Sequence, residues 1–335
     1  MPNTTQFWAV GSATSAAGIS QPTIVRTAGS GWSVTASPTL ASGGGLNDVA
    51  ALNATNAWAV GYHGFAGNDP CVGGWCPVAG APLAEHWNGK TWQVVSLPAG
   101  NATLAGVKVF SASDVLAVGS LGAGPAAAYR WNGSTWSVTA LPTPAACAGS
   151  PSGAQAVAAV PGSSTRFAVG TCGPDFTGVV WQLKSGSWSI AWTGDEVLND
   201  ITPVSATSIW AVGSKGSSAS LAHWNGTTWS STPVPTGLND DIYLEGVIRL
   251  PGTQTLWATG GILNDPDIPV AAYFNGSVWS RVDVPGWIWG DLPSVAASSA
   301  SNVYAVGVNW DVQWGDAGCT DPNGCPATTL IERYH

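Results

Sequence analysis

Short apolar-rich runs recur along this chain, many of them bounded by Gly, Asn or Pro. The stretch from Leu46 to Pro98 shows the pattern in full. LNDVAAL predicts a short strand of small and branched residues, NATN a turn, and AWAVG a second strand. A variable loop follows, then LAEHW as a third strand, NGKT as a tight connection, and WQVVSLP as a fourth strand stopped by its Pro. Period-two alternation bounded by turn residues is the signature of half-buried strands. Asn-Gly between two apolar runs marks a hairpin, because both residues tolerate positive φ.

The unit repeats. A four-residue core ending in Gly occurs as WAVG at Trp8–Gly11, Trp58–Gly61 and Trp210–Gly213, and as variants ending at Gly119, Gly170, Gly260 and Gly307. A second motif, WNGxxW, follows at Trp87–Trp92, Trp131–Trp136 and Trp224–Trp229. Degenerate forms run from Phe274 to Trp279 and end at Trp188 and Trp32. Four short antiparallel strands repeated seven times predict an all-β fold, a seven-bladed β-propeller of four-stranded antiparallel blades. One domain over 1–335 is expected, with units near 1–40, 46–98, 104–142, 152–194, 198–235, 244–286 and 292–335. The first unit starts just before its second strand and the last stops after its third. Both terminal blades are therefore expected to be incomplete, and an open edge invites self-association. Tryptophans at repeat positions are expected to pack between blades, since large aromatics dominate core burial.

Function is expected where the repeat is broken. The loop between second and third strands is longest from Gly61 to Trp87 and from Gly307 to Tyr334. In a closed ring blades 7, 1 and 2 are consecutive, so both insertions fall in one sector of one face, here called the top. Variable loops on a repeated scaffold usually carry the binding residues. Trp75, Trp310 and Trp314 lie in the insertions, and Trp287 and Trp289 in the link into blade 7. Asp69, Asp311, Asp316, Asp321 and His63 accompany them in the insertions, with Asp265, Asp267 and Asp291 in neighbouring top loops. Indole faces ringed by carboxylates suit carbohydrate, whose C–H faces stack on the ring while hydroxyls meet oxygen and nitrogen partners. The same Asp-Pro and Asp-Gly neighbours are also ordinary turn formers.

Six cysteines form three expected disulfides: Cys71–Cys76 and Cys319–Cys325 inside the insertions, and Cys147–Cys172 between the link into blade 4 and that blade's top loop. Such pairs imply an oxidising, extracellular setting. The rival metal reading lacks a second CxxC or HxxxH. The DPD and DPN spacings offer oxygen ligands for calcium without completing a calcium loop, and no other cofactor is expected.

Charged residues make up 9% of the chain and the formal net charge is −9, with no run of Lys or Arg. Nucleic acid and anionic membrane surfaces are poor partners for such a chain. No apolar stretch is long enough to span a bilayer. Nucleophilic hydrolase chemistry is disfavoured too. His86 and His223 share one repeat position with Arg26, Arg130, Gln182 and Tyr273, which reads as a polar strand rim, and no GxSxG occurs.

The repeats of WAVG followed by WNGKTW, WNGSTW or WNGTTW resemble those of secreted bacterial Trp-rich β-propeller proteins. The hairpin is similar to that of seven-bladed fucose-binding propeller lectins, and the WAVG strand resembles tectonin repeats. That resemblance spans nearly the whole chain and implies the fold, with lectin-like carbohydrate binding as the expected activity. Unequal loops depart from a lectin with equivalent sites in every blade and point to one main site. The alternatives are a glycoside hydrolase or polysaccharide lyase using top-face carboxylates such as Asp195, Glu196, Asp240, Asp241 and Glu245, or a surface-assembly protein. Binding is preferred over catalysis.

Overall fold

A computed structural model describes residues 6–14, 18–28, 31–64, 80–263, 268–282, 284, 290–309 and 328–334. Among them the chain forms seven antiparallel sheets, each following chain order, and a single short 3₁₀ turn at Ala145–Cys147. The first blade is β1 (Trp8–Thr14), β2 (Ser20–Ala28) and β3 (Gly31–Thr35). Blade 2 is β4 (Gly44–Asn53), β5 (Asn56–His63), β6 (Ala81–Trp87) and β7 (Trp92–Val94). Blade 3 is β8 (Thr103–Ser111), β9 (Asp114–Ser120), β10 (Ala126–Trp131) and β11 (Trp136–Ala140). Blade 4 is β12 (Ser152–Ala159), β13 (Arg166–Cys172), β14 (Thr177–Lys184) and β15 (Ser187–Gly194). Blade 5 is β16 (Val197–Ser205), β17 (Ser208–Lys215), β18 (Ser218–Trp224) and β19 (Trp229–Ser231). Blade 6 is β20 (Ile242–Arg249), β21 (Leu256–Ile262), β22 (Ile268–Phe274) and β23 (Trp279–Val282). Blade 7 is β24 (Gly290–Ser299), β25 (Asn302–Asn309) and β26 (Thr328–Tyr334).

This is the seven-bladed β-propeller fold, with three strands in the first and last sheets and four elsewhere. Blades 1 to 4 make one compact unit and blades 5 to 7 another. The WAVG motifs and their variants open or lie within the second strand of every complete blade, where consecutive residues are buried on both faces of the sheet: Trp58, Ala59 and Val60 are each at most 1% exposed. The fourth strand is shorter than its sequence suggests. WQVVSLP contributes only Trp92–Val94 as regular strand, although the Val95 N–H still donates to the Ala84 carbonyl at 2.9 Å.

The motif glycine has a packing cause. In blades 2 to 6 the first strand slips register between Leu46 and Asp48, Leu104 and Gly106, Ala154 and Ala156, Leu198 and Asp200, and Leu244 and Gly246. These are β-bulges, where an extra residue pushes the backbone out of plane. Each bulge presses a backbone carbonyl onto the facing glycine. A Cβ on Gly61, Gly119, Gly170, Gly213 or Gly260 would overlap the carbonyl oxygen of Gly45, Thr103, Gly153, Val197 or Tyr243. Gly11, in the blade described without that inner strand, has nothing within 4 Å of its Cβ position.

The WNG hairpins are equally regular. The Asn88 Oδ1 accepts the Lys90 and Thr91 N–H groups at 2.9 and 3.0 Å, and Gly89 takes φ 92°. Asn132, Asn225 and Asn275 repeat that bonding. Blade 4 departs from it: Ser185 and Gly186, both at positive φ, join β14 to β15 directly as a two-residue hairpin turn.

Candidate functional site

Most of the residues expected to bind ligand lie outside the described residues: Asp69, Trp75, Trp287, Trp289, Trp310, Asp311, Trp314 and Asp316. So do the Cys71–Cys76 and Cys319–Cys325 pairs, and Asp265, Asp267 and Asp321. His63 is described. It ends β5, half-buried, paired with Gly44 and Ala81. Asp291 pairs with Val308 in blade 7. The Cys147–Cys172 disulfide is formed where the sequence places it, with Cα atoms 5.8 Å apart. Among the described residues no group of three or more His, Cys, Asp or Glu is placed to hold a metal ion, and no helix is long and apolar enough to cross a membrane.

The tryptophans follow a rule that exposes an exception. In blades 1, 2 and 5 the Trp of the WAVG-type core packs on both aromatics of the next blade's hairpin, and in blade 6 it packs on one. Trp8 meets Trp87 and Trp92 at 5.2 and 5.3 Å between ring centroids. Trp58 meets Trp131 and Trp136, both at 5.1 Å. Trp210 meets Phe274 and Trp279 at 5.0 and 5.7 Å, and Trp257 meets Tyr334 at 4.7 Å. Several pairs are edge-to-face, the favourable arrangement for aromatic rings. The first hairpin indole also ties its own blade, as Trp87, Trp131 and Trp224 donate to the carbonyls of Ala54, Ala112 and Ala206 at 3.0 to 3.2 Å.

Between blades 3 and 4 two of these aromatics are missing. The core motif there is LAVG, so Leu116 stands in the Trp position. The hairpin is LKSGSW, so Leu183 stands where the hairpins of blades 2, 3, 5 and 6 begin with Trp or Phe. Two leucines fill less space than two indoles, and a groove of about 570 Å³ opens in their place. Its lining is Leu116, Ala128, Arg130, Ser137, Thr139, Ala140, Pro142, Leu183, Gly186, Ser187 and Trp188. Leu116 and Ala128 are buried, while Leu183 and Trp188 are half-buried and complete an apolar floor. Arg130, Ser137, Thr139 and Ser187 are exposed around it. Trp188 is the second hairpin indole. Its counterparts Trp92, Trp136, Trp229 and Trp279 are only 4–6% exposed, while Trp32 of blade 1, whose hairpin begins with Thr27, is half-buried like Trp188. The groove falls in the size range of small-molecule pockets, and it is open and edged by polar groups over its apolar floor.

The same substitution releases Arg130. In blades 1, 2, 5, 6 and 7 the residue before the hairpin motif covers the core aromatic of its own blade. Arg26 lies 5.7 Å over Trp8, and His86 and His223 stack on Trp58 and Trp210 at 4.6 and 4.3 Å. Tyr273 packs on Trp257 at 5.8 Å, and Arg333 lies 5.6 Å over Tyr304. His86 and His223 are thus packing residues, and burial lowers the pKa of both. The cross-strand partner of Arg130 is Leu116, which offers no ring. Arg130 instead donates from Nε to Asp114 Oδ1 at 3.2 Å. Asp114 is bound through both oxygens by Arg166, whose guanidinium lies 3.8 Å over Phe110. Burial alone would raise the Asp114 carboxyl, but the two guanidiniums hold it below its usual range.

Two of the top-face carboxylates, Asp195 and Glu196, make a different arrangement. Glu196 is 2% exposed and accepts the Ser231 hydroxyl at 2.5 Å. Burial raises its pKa and the neighbouring Asp195 adds to the rise. Asp195 is bound by Lys215 at 2.7 Å, a contact that lowers its own pKa. An acid shut away from solvent cannot reach a substrate, so this pair fits a latch that anchors the start of β16.

No protein-family model matches the sequence, and no curated protein matches it significantly. Solved structures do resemble it in fold. YCF48 bound to D1 peptide matches with TM-score 0.55 and 15% identity, over 90% of this chain and 84% of that one. U3-55K matches with TM-score 0.57 and 13% identity, over 92% and 88%. A GH74 enzyme from Niastella koreensis matches with TM-score 0.53 and 14% identity, over 78% of this chain and 44% of that one. Likeness at this identity establishes the β-propeller and leaves function to the site itself.

Proposed function

We propose that this chain is an extracellular glycan-binding protein, a binder in preference to an enzyme. The observation that carries this reading is the groove between blades 3 and 4, where the half-buried Trp188 lies beside three hydroxyl side chains and a guanidinium. A sugar ring presents C–H groups to an indole and hydroxyls to such an edge. The buried Cys147–Cys172 disulfide supports an oxidising compartment. The tryptophans of the two long loops, Trp75, Trp310 and Trp314, with Trp287, Trp289, Asp69, Asp311, Asp316 and His63, are proposed as a second platform on the same grounds as before. Self-association through the three-stranded sheets is the rival role.

The test is a glycan array read with wild type, Trp188→Ala, Leu183→Trp and the Trp310→Ala, Trp314→Ala pair. Leu183→Trp restores the residue that the repeat uses elsewhere, so it should fill the groove without unfolding the blade. Selective binding lost in both groove variants is expected. Binding lost only in the loop pair would move the site to the insertions. No glycan bound by wild type would overturn the reading, and light scattering would then test association.

A further inference from the structure

We infer that the groove between blades 3 and 4 selects glycans bearing a carboxylate, a uronate-type acidic sugar, through Arg130. The inference rests on the glycan-binding reading and names the ligand class for that site. Three observations carry it. First, Arg130 lines the groove, and its side chain is 56% exposed. The arginines at this position in blades 1 and 7 lie over an aromatic ring, whereas Leu116 leaves Arg130 none. Second, only its Nε is engaged within the described residues, by Asp114. That bond fixes the guanidinium plane and leaves the two terminal amino groups for a ligand. A planar fork held in this way matches a carboxylate through two parallel hydrogen bonds. Third, the local charge is positive in an acidic protein. The lining includes no carboxylate, and Asp114 is already matched by the bidentate Arg166. Two guanidiniums around one carboxylate leave a single positive charge at the groove, within a chain of formal charge −9.

The geometry is coherent with one event in the repeat. Replacing the core Trp by Leu116 both opens the space beside Trp188 and frees the guanidinium at its edge. A sugar ring on the apolar floor would bring its exocyclic carboxylate within reach of Arg130, with Ser137, Thr139 and Ser187 near its hydroxyls.

The experiment measures binding of a galacturonic acid oligomer and of the galactose oligomer of the same linkage by isothermal titration calorimetry. Wild type, Arg130→Gln, Trp188→Ala and Lys90→Gln are compared, the last being an exposed charge in the blade 2 hairpin. Wild type is expected to prefer the acidic oligomer by about tenfold or more, as a charge-assisted fork implies. Arg130→Gln should erase that preference, Trp188→Ala should weaken both ligands, and Lys90→Gln should change nothing. Equal binding of both oligomers by wild type overturns the acid preference and leaves the glycan reading standing. Acidic binding that survives Arg130→Gln, or falls equally in Lys90→Gln, overturns it as diffuse electrostatics. Binding of neither oligomer, with a blank array, overturns both readings together. Should Arg130→Gln lower the unfolding midpoint markedly, competition on wild type by free galacturonate against free galactose decides the same question.

Discussion

At the scale of single residues, the recurring Gly of the WAVG strand is fixed by backbone approach. Gly119 faces the Thr103 carbonyl so closely that no Cβ fits, while Gly11 has open space. Gly119→Ala is therefore expected to cost at least about 2–3 kcal/mol, as overpacking in a core does, and Gly11→Ala close to nothing. Urea unfolding of the two variants reads the contrast, and equal midpoints would refute the bulge argument. Glu85 is a second case. It is fully buried in β6, with the Ser37 hydroxyl within 2.9 and 3.0 Å of its two carboxyl oxygens. Burial raises its pKa from 4.5 to about 7, against the Ser37 bond, which lowers it. The folded state thus holds the proton more tightly than the unfolded chain. Its stability contribution is whole below pH 4.5 and is lost as pH rises through about 7, by up to roughly 3 kcal/mol. Glu85→Gln should flatten that part of the profile. Thermal unfolding at pH 4.5 and pH 8 would show the wild type losing more than the variant.

At the scale of elements, an Asn-Asp pair on the inner strand clasps the next blade in two places. The Asn47 amide donates to the Leu104 carbonyl at 2.7 Å, and Asp48 accepts the Val107 N–H at 2.8 Å and the Val49 N–H at 2.7 Å. Asn199 and Asp200 repeat the clasp onto Leu244 and Val247 at 2.9 and 2.7 Å. Asp48 keeps this role although burial raises its pKa against the two N–H bonds. Asp48→Ala and Asp200→Ala should each destabilise by about 1–3 kcal/mol, the cost of leaving an enclosed N–H without its acceptor. The clasps lie in different blades, so the double variant should show additive losses. Strong coupling in a double-mutant cycle would contradict that separation.

At the scale of the whole molecule, the seven repeats spread stability over many similar interfaces, and the disulfide adds one long-range restraint. Cys147 and Cys172 are 25 residues apart. Closing a loop of that length constrains the unfolded chain by about 3 kcal/mol in the entropic account. Dithiothreitol, or the Cys147→Ser, Cys172→Ser double variant, should lower the unfolding midpoint accordingly. An unchanged midpoint would show that packing around the link into blade 4 already supplies the restraint.

Local pattern alone determined the sheets. Strand alternation, Asn-Gly turns and the spacing of WAVG and WNGxxW identify seven blades, including the three-stranded first and last ones, because each strand and hairpin is specified by a few adjacent residues. The Cys147–Cys172 bond was legible for the same reason, since both residues lie at one end of one repeat, although Cys172 closes strand β13 and is not in the loop the sequence suggested. The loop tryptophans stand out in the sequence because they break the repeat, whereas the groove arises from another kind of break. Leu116 and Leu183 are 67 positions apart. Each is an ordinary apolar residue in an apolar slot, so neither draws notice alone. Only the packing of one blade on the next puts the two losses in one place, leaves Trp188 half-covered and turns Arg130 from a stacking residue into the edge of a pocket. A cavity is the sum of side-chain volumes from distant segments, and that sum exists only once the chain has folded.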